Sequence, residues 1–258
     1  MNIRTMAEWA AEGKSPEILF WVGCAGSFDD RYKKVTLAVC KILDKVGMRY
    51  GVLGSEESCS GDPARRAGNE FLFQMQALMN IQTMQAYEVK KIVTACPHCF
   101  NTLKNEYPAL GGNFEVLHHS ELLQQLIGEG KIRQADGQPF RGKRIVFHDS
   151  CYLGRANDVY EAPRAVLEAL DASLVEMKRS RKNGLCCGAG GAQMFKEAET
   201  GKKEINLERI EEALEMQPQV VAVACPFCMT MLADGVKNKE KEAEVKVLDL
   251  AELIEASM

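Results

Sequence analysis

Short apolar runs alternate with longer stretches of helical periodicity along most of the chain. The runs are rich in Val, Ile, Leu and Phe, and several end at a loop that contains glycine or cysteine. Such runs are typical of buried strands. The predicted strands are 17–22, 48–53, 90–94, 114–117, 144–147, 174–177, 220–223 and 245–248. The predicted helices include 31–46, 62–87, 162–170 and 193–216. This alternation predicts an α/β fold with βαβ units and mainly parallel sheets flanked by helices.

The two halves of the chain carry nearly the same cysteine pattern. Cys24 precedes Cys59 by 35 positions, and Cys151 precedes Cys186 by the same number. A Cys-Pro-x-Cys motif follows 37 positions after Cys59 and 39 positions after Cys186. Self-similarity at an offset of about 127–131 residues indicates a tandem duplication, and it therefore predicts two pseudo-symmetric lobes.

The duplication also sets the predicted domain organisation. Residues 1–16 form an N-terminal leader without candidate ligands, residues 17–128 form the first cysteine-rich lobe (lobe one), and residues 143–258 form the second (lobe two). The segment 129–142 is polar, contains glycine and lacks periodicity, which favours a linker. A chain of 258 residues has room for two domains of this size.

Composition excludes several classes of protein. A net charge of −4 provides no basic footprint, so nucleic acid is not an expected partner. No apolar run approaches the roughly 20 residues that span a bilayer. The first 14 residues lack the features of a secretory signal peptide. Ten cysteines without a signal peptide indicate a reducing compartment, where thiols serve as metal ligands or redox centres, and we therefore predict a cytoplasmic location.

The cysteines of lobe two form the strongest candidate site. Adjacent cysteines cannot bridge each other without severe strain, and the glycines that follow them allow close approach of the backbone to a bulky group. Ligands of open α/β sheets lie at the carboxyl ends of the strands, where Cys151, Cys225 and Cys228 fall. Five thiols exceed the four that zinc or a cubane cluster needs, which favours a larger iron–sulfur cluster with a bridging sulfur over zinc or metal-free thiols. The five are Cys151, Cys186, Cys187, Cys225 and Cys228.

Lobe one departs from this pattern at one position. Ser60 stands where lobe two has Cys187. The remaining four thiols suit an ordinary [4Fe–4S] cluster, a zinc ion, or the larger cluster with one ligand missing. A Cys-Pro-x-Cys motif is also found in thioredoxin-like redox pairs, but its link to two further repeated cysteines favours ligands. The candidate ligands of lobe one are Cys24, Cys59, Cys96 and Cys99.

The other chemistry-bearing residues are weaker candidates. Cys40 has an apolar counterpart, Leu167, and is predicted to be a small core residue. Arg65 and Arg66 place positive charge near the first site or on a solvated helix face. We expect an apolar set on the same predicted helix to lie in the core: Phe71, Phe73, Met75, Leu78 and Met79.

The histidines are not predicted to be obligatory ligands. His98 and His119 have apolar counterparts in lobe two, and His118 corresponds to Asp249, so that each of these two is a candidate cap for the helix that follows it. His148 lies three residues before Cys151. We predict a structural role for it, with a position beside the metal ligands or a role in proton delivery as the alternative.

Together these motifs resemble a known family. The segments Cys24…Cys59-Ser60-Gly61…Cys96-Pro97-His98-Cys99 and Cys151…Cys186-Cys187-Gly188…Cys225-Pro226-Phe227-Cys228 resemble the tandem cysteine-rich (CCG) domains of the heterodisulfide reductase family. The sequence around Gly61–Glu70 is most similar to the version in iron–sulfur oxidoreductases linked to electron-transferring flavoprotein.

The resemblance implies an iron–sulfur electron-transfer subunit of an oxidoreductase complex rather than a complete enzyme. It implies a non-cubane [4Fe–4S] cluster on the five thiols of lobe two, and a second [4Fe–4S] cluster or zinc in lobe one. The implied partners are a ferredoxin-type subunit or a flavoprotein, together with a membrane-bound subunit that reacts with quinone and through which the protein associates with the membrane. Two alternatives remain open: a disulfide reductase that acts directly at the cluster, and a zinc-stabilised interaction module.

Overall fold

The computed structural model describes residues 3–133, 135, 138–197 and 200–258. In lobe one and the segment before it, strands alternate with helices as the apolar pattern predicts. Single 3₁₀ turns lie at Gly54–Glu56 and Tyr107–Leu110, and a π-helical turn lies at Thr102–Glu106. The helices and strands are α1 (Met6–Ala11), β1 (Ile18–Trp21), α2 (Gly23–Phe28), α3 (Lys33–Lys45), β2 (Tyr50–Gly51), α4 (Asp62–Arg66), α5 (Glu70–Ala86), β3 (Lys91–Thr94), α6 (Pro97–Asn101), β4 (Glu115–His118) and α7 (His119–Gly128).

Lobe two repeats this order with a different set of helix lengths. Short 3₁₀ turns lie at Arg181–Asn183 and Gln193–Phe195. The helices and strands are β5 (Arg144–Phe147), α8 (Glu161–Glu168), β6 (Ser173–Val175), α9 (Ile205–Glu215), β7 (Val220–Val223), α10 (Pro226–Asn238), β8 (Lys246–Asp249) and α11 (Leu250–Ser257).

Each lobe contains one parallel four-stranded sheet. The order is β2-β1-β3-β4 in lobe one and β6-β5-β7-β8 in lobe two, so that the first strand of each lobe lies inside its sheet. The central pairs share a register: Leu19 pairs with Ile92, and Val146 pairs with Val221. The central strands are buried almost completely, as is typical of parallel sheets covered by helices. The predicted α/β fold is confirmed.

Two predicted helices are shorter than the sequence pattern indicated. The predicted helix 62–87 is interrupted between α4 and α5, because Gly68 adopts a left-handed conformation (φ +85°) and the Asn69 side chain caps Leu72 at 3.1 Å. The predicted helix 193–216 begins only at Ile205, after the turn at Gln193–Phe195. Part of that prediction falls on residues 198 and 199, which lie outside the described residues.

The prediction that all five apolar side chains of α5 lie in the core is wrong for four of them. Phe73 is 1% exposed, but Phe71 is 76% exposed, and Met75, Leu78 and Met79 are also exposed. These side chains follow the helical repeat along the face opposite to Phe73. Cys40, by contrast, is fully buried as predicted, and burial raises the pKa of its thiol to about 11.

The described structure divides into two compact units, Met1–Leu122 and Leu123–Met258. The predicted linker 129–142 includes residues 134, 136 and 137, which lie outside the described residues, as do residues 1 and 2 of the predicted leader. Among the helices that the structure describes, we find none long and apolar enough to cross a membrane.

Candidate metal centres

Six of the nine site cysteines lie beyond the carboxyl ends of the central strands of the sheets. In lobe one, Cys24 follows β1 in the first turn of α2, and Cys96 and Cys99 follow β3 at the start of α6. In lobe two, Cys151 follows β5, and Cys225 and Cys228 follow β7 at the start of α10. Because neighbouring parallel strands end at the same edge of a sheet, this topology brings distant cysteines together within each lobe.

A glycine in a left-handed conformation shapes the loop that contains Cys186 and Cys187 (the double-cysteine loop) and the corresponding Cys59 loop of lobe one. Gly188 has φ +94° and Gly61 has φ +91°, which a residue with a Cβ adopts only with strain. This conformation turns the amide back toward the loop, so that Gly188 N donates to Cys186 Sγ at 3.3 Å and Gly61 N donates to Cys59 Sγ at 3.5 Å. A Cβ on Gly61 would also lie 2.7 Å from Cδ2 of Phe73. The glycine is therefore required in this turn.

The five thiols of lobe two form one continuous hydrogen-bonded set. Cys186 accepts from Cys151 and Cys187, and these hydrogen bonds lower the pKa of Cys186 and raise that of both donors. Cys228 bonds to Cys187 and Cys225, which raises the pKa of Cys228 well above its ordinary value. All ten cysteines of the chain are free. Five thiols without a disulfide in one largely buried cluster are a donor set for a soft metal or an iron–sulfur group.

A buried histidine and a buried arginine adjoin these thiols. His148, Cys187 and Cys228 have ligand atoms that all lie within 4.8 Å of one another. Arg209 Nε donates to His148 Nδ1 at 3.0 Å, and Arg209 also bonds to Glu212 and to the Arg179 carbonyl. Burial lowers the pKa of His148 to about 3, and the neighbouring guanidinium acts in the same direction. The imidazole is therefore neutral.

A second buried ion pair supports the loop before Cys151. Arg164 on α8 holds Asp149 through two hydrogen bonds of 2.9 and 3.0 Å, and both side chains are almost completely buried. Arg164 also binds Glu176, and Asp149 accepts from the backbone amide of Arg181. This pair joins the loop after β5 to the segment that leads to the double cysteine.

Lobe one gathers its four cysteines differently. The Cys24 thiol bonds to Cys59, which raises the pKa of Cys24 and lowers that of Cys59 to about 7. Ser60 Oγ, at the position of the missing fifth thiol, donates to Cys99 Sγ at 3.5 Å. Glu57 accepts from the amides of Val22 at 3.1 Å and Gly23 at 2.5 Å, and so it ties the Cys59 loop to the Cys24 loop.

A polar network lies beside the thiols of lobe one. His98 Nδ1 lies 2.8 Å from Asp62 Oδ2, and both residues are buried. Arg66 lies 3.3 Å from Asp62 and also pairs with Glu106, which in turn pairs with Arg65 at 3.0 Å. Arg65 and Arg66 therefore take part in this network rather than forming only a solvated face.

The surroundings of both thiol sets contain buried donors that have no acceptor within the described chain. They include Trp21 Nε1 in lobe one and His148 Nε2, Ser150 Oγ and Arg209 Nη2 in lobe two. Buried polar groups are normally hydrogen-bonded, so their presence indicates a bound group that accepts hydrogen bonds. The sulfides and thiolates of an iron–sulfur cluster are such acceptors. The residues present therefore fit an iron–sulfur group.

Sequence reasoning missed the side chains that support the thiols. Asn80 donates to the Cys59 carbonyl at 3.0 Å, and at the offset of the Cys-Pro-x-Cys motifs it corresponds to Arg209. Arg164 was missed as well. Both arginines lie on helices in which most other charged residues are exposed, Glu212 being buried beside Arg209, and only a comparison of the two repeats singles out their positions.

The family of the chain follows from a comparison with protein-family models. The model of the CCG cysteine-rich domain matches twice, at residues 18–104 and 145–233, and the two matches include all nine repeated cysteines. The chain belongs to the CCG cysteine-rich domain family. Two relatives of this CCG protein are iron–sulfur proteins by name, and membership in the family implies an iron–sulfur cluster.

Curated relatives match this CCG protein over most or all of its length. It is 49% identical to the probable iron–sulfur-binding oxidoreductase FadF of Bacillus subtilis and 46% identical to the EtfAB:quinone oxidoreductase of Syntrophomonas wolfei, with 100% of this chain aligned in each case. It is 32% identical to one chain of the dihydromethanophenazine:CoB–CoM heterodisulfide reductase of Methanosarcina barkeri, over 92% of this chain. The chain spans only 36%, 37% and 58% of these relatives, respectively.

Proposed function

We propose that this CCG protein is an iron–sulfur electron-transfer subunit, or the corresponding part, of an oxidoreductase. The observation that carries the proposal is the set of five hydrogen-bonded, disulfide-free thiols at the carboxyl ends of β5 and β7. The names of the relatives, which describe an iron–sulfur-binding oxidoreductase, a quinone oxidoreductase and a heterodisulfide reductase, support it.

Lobe two would hold a non-cubane [4Fe–4S] cluster, and lobe one would hold a second cluster. The ligands in lobe two are the five thiols of the double-cysteine loop, the β5 loop and the α10 N-terminus. The ligands in lobe one are Cys24, Cys59, Cys96 and Cys99. When bound, such clusters accept and release single electrons at potentials set by their type, burial and hydrogen bonds. The protein supplies the geometry: amide donors from Gly61 and Gly188, and buried side chains that exclude water.

The proposed partners follow from the relatives. EtfAB, in the name of the Syntrophomonas relative, points to an electron-transferring flavoprotein as the donor, and the quinone in the same name points to a membrane-bound acceptor. A ferredoxin-type subunit is the alternative donor. Direct reduction of a disulfide at lobe two is the second candidate function, favoured by the complete five-thiol set and by the heterodisulfide reductase relative.

The deciding experiment is iron and acid-labile sulfide analysis with EPR on anaerobically purified protein. We expect iron and sulfide in equal amounts, and Cys187→Ser should remove or convert the lobe-two signal. Cys40→Ser is the matched control, because Cys40 is a buried thiol whose polar neighbours are Tyr50 and Asp44, and its loss should leave iron and spectra unchanged. Zinc without sulfide in the wild-type protein would contradict the proposal and leave a zinc-stabilised interaction module.

Reduction of a small disulfide with an artificial electron donor distinguishes the two candidate functions. A relay subunit should transfer electrons to a quinone analogue through its partner and reduce the disulfide no faster than the Cys187→Ser variant does. Turnover of the disulfide that depends on Cys187 would establish the reductase instead.

A further inference from the structure

Trp21 and His148 occupy the same position in the two repeats. Each lies three residues before the first cysteine of its lobe. Trp21 pairs with Thr94 at the end of the β1–β3 ladder, and His148 N donates to the Ala222 carbonyl at 2.9 Å, which extends the β5–β7 ladder by one residue. The two ring-bearing residues therefore occupy equivalent backbone positions at the carboxyl edge of their sheets.

Trp21 places an unused donor beside the thiols of lobe one. Its side chain is fully buried, and Nε1 has no hydrogen-bond partner in the part of the chain that the structure describes. A Cβ on Gly23 would lie 3.9 Å from this nitrogen and 3.3 Å from Cys99 Sγ, so both atoms border the same small space. An indole nitrogen donates and does not accept or ligate a metal.

Arg209 makes His148 a ring N–H donor like Trp21. A guanidinium has no acceptor, so the 3.0 Å contact from Arg209 Nε requires a lone pair on His148 Nδ1. The proton of the neutral ring then lies on Nε2, which is buried and has no partner among the described residues. The same imidazole lies in the group with Cys187 and Cys228. A protonated Nε2 has no lone pair for a metal, so His148 is a donor and not a ligand.

We infer that positions 21 and 148 each supply a ring N–H that donates to a sulfur of the bound cluster. The inference rests on the proposed function. It also predicts a cluster in lobe one, where Ser60 replaces the fifth thiol, because Trp21 Nε1 has no acceptor in the described part of the protein. Arg209 is a positioning residue that fixes the tautomer of His148. Donors to cluster sulfur stabilise the reduced, more negative form and raise the reduction potential.

The test is to remove each N–H while keeping a ring. Trp21→Phe and His148→Phe should each lower the equilibrium constant for reduction of the cluster in the same lobe by about tenfold, or about 59 mV for one electron. His148→Gln, whose amide offers an N–H near the place of Nε2, should recover most of the shift. Trp9→Phe is the control, since the Trp9 indole donates to the Tyr50 carbonyl at 2.9 Å.

Nitrogen NMR supplies a readout that does not depend on potentials. The chain has two tryptophans, so Trp9→Phe assigns both indole resonances. Loading of the cluster should shift or broaden the Trp21 resonance and leave that of Trp9 in place. The imidazole of His148 should show a protonated Nε2 and a bare Nδ1.

The outcomes separate this inference from the proposed function. Suppose that the protein contains iron and sulfide but that the reduction potentials of the clusters in Trp21→Phe and His148→Phe equal those in Trp9→Phe. This result would overturn the inference and leave the proposed function standing. A His148 ring protonated at Nδ1 would overturn the role of Arg209. Wild-type protein without iron and sulfide would overturn the proposed function together with this inference.

Discussion

Lobe one and lobe two share a strand order, a register and a cysteine pattern, but they support their thiols with different side chains. At the offset of the repeat, lobe two has the buried pair Asp149 and Arg164 where lobe one has Val22 and Leu37. Lobe one, in turn, has the buried pair Asp62 and His98, whereas the corresponding residues of lobe two are Ala189 and Phe227, which form no ion pair.

This difference shows which features the cysteine site itself requires. The strand ends, the left-handed glycine and the buried ring N–H occur in both lobes. The buried polar pairs around the thiols differ, so each pair is specific to its own lobe. Exchanging single residues between the lobes therefore tests the roles of the supporting side chains one at a time.

The largest expected effect comes from completing the thiol set of lobe one. Ser60→Cys gives lobe one the fifth thiol of lobe two in a nearly isosteric change at a buried position that already contacts Cys99. We expect the lobe-one EPR signal to acquire the character of the lobe-two signal.

Ser58→Cys is the matched control for that exchange. It adds a thiol to the same loop at a half-buried position whose lobe-two counterpart is Leu185. It should leave the spectrum of lobe one unchanged. An unchanged spectrum in Ser60→Cys, or the same change in both variants, would contradict the five-ligand hypothesis.

The second effect concerns the ion pair of lobe two. Arg164→Leu, which installs the residue of lobe one, leaves the Asp149 carboxylate buried without its partner and should lower the free energy of unfolding by roughly 3–5 kcal/mol. The double variant Asp149→Val with Arg164→Leu should recover most of this loss, because an apolar pair of similar volume replaces both charges. Urea denaturation of the metal-free proteins measures both.

Arg141→Leu serves as the control for the loss of an arginine. Arg141 pairs with Asp171 at 3.0 Å on the surface, where solvent screens the interaction, so a small change is expected. If Arg141→Leu lowered the free energy of unfolding as much as Arg164→Leu does, the burial of the Arg164–Asp149 pair would not explain the effect of Arg164→Leu.

A smaller loss is expected from the corresponding exchange in lobe one. His98→Phe removes the partner of Asp62 Oδ2, but Asp62 keeps its contact with Arg66. The free energy of unfolding should therefore fall by about 1–3 kcal/mol. Asp62→Ala added to His98→Phe reproduces the lobe-two pair and should restore part of the stability. A double variant less stable than the single one would show that Asp62 has a further role with Arg66 and Glu106.

Much of the fold and of the thiol arrangement was predictable because both depend on patterns local to each repeat. Short apolar runs predicted the strands, and cysteines at the ends of those runs predicted where thiols meet, since parallel strands end at a common edge. The contacts of the buried arginines were not predictable in this way. Arg164 and Asp149 are 15 positions apart, and Arg209 and His148 are 61 apart, so no helical or strand period connects them.

The apolar composition of α5 misled the prediction for a related reason. Glu70 is its only charged residue, and a helix with so few charges is expected to be buried on most sides. Only the contacts of the folded chain show that one face packs against the Cys59 loop while the other remains exposed.

The smallest effect is therefore expected on that exposed face. Phe71 and Phe73 are the same residue type, two positions apart, on opposite sides of α5. Phe71→Ala should change the free energy of unfolding by no more than about 0.5 kcal/mol, since a surface side chain loses little on truncation. Phe73→Ala, the matched control, should cost about 3–5 kcal/mol because it leaves a cavity against Gly61 and the Arg65 guanidinium, which stacks on the ring at 4.6 Å.

The same pair of variants relates α5 to the metal centre of lobe one. Because Phe73 packs against Gly61, which donates to Cys59, its truncation should also lower the iron content of lobe one, whereas Phe71→Ala should leave iron unchanged. Equal stability losses in the two variants would mean that the exposed face of α5 is covered in solution. A loss of stability in Phe73→Ala without any loss of iron would mean that the Cys59 loop holds its shape without α5.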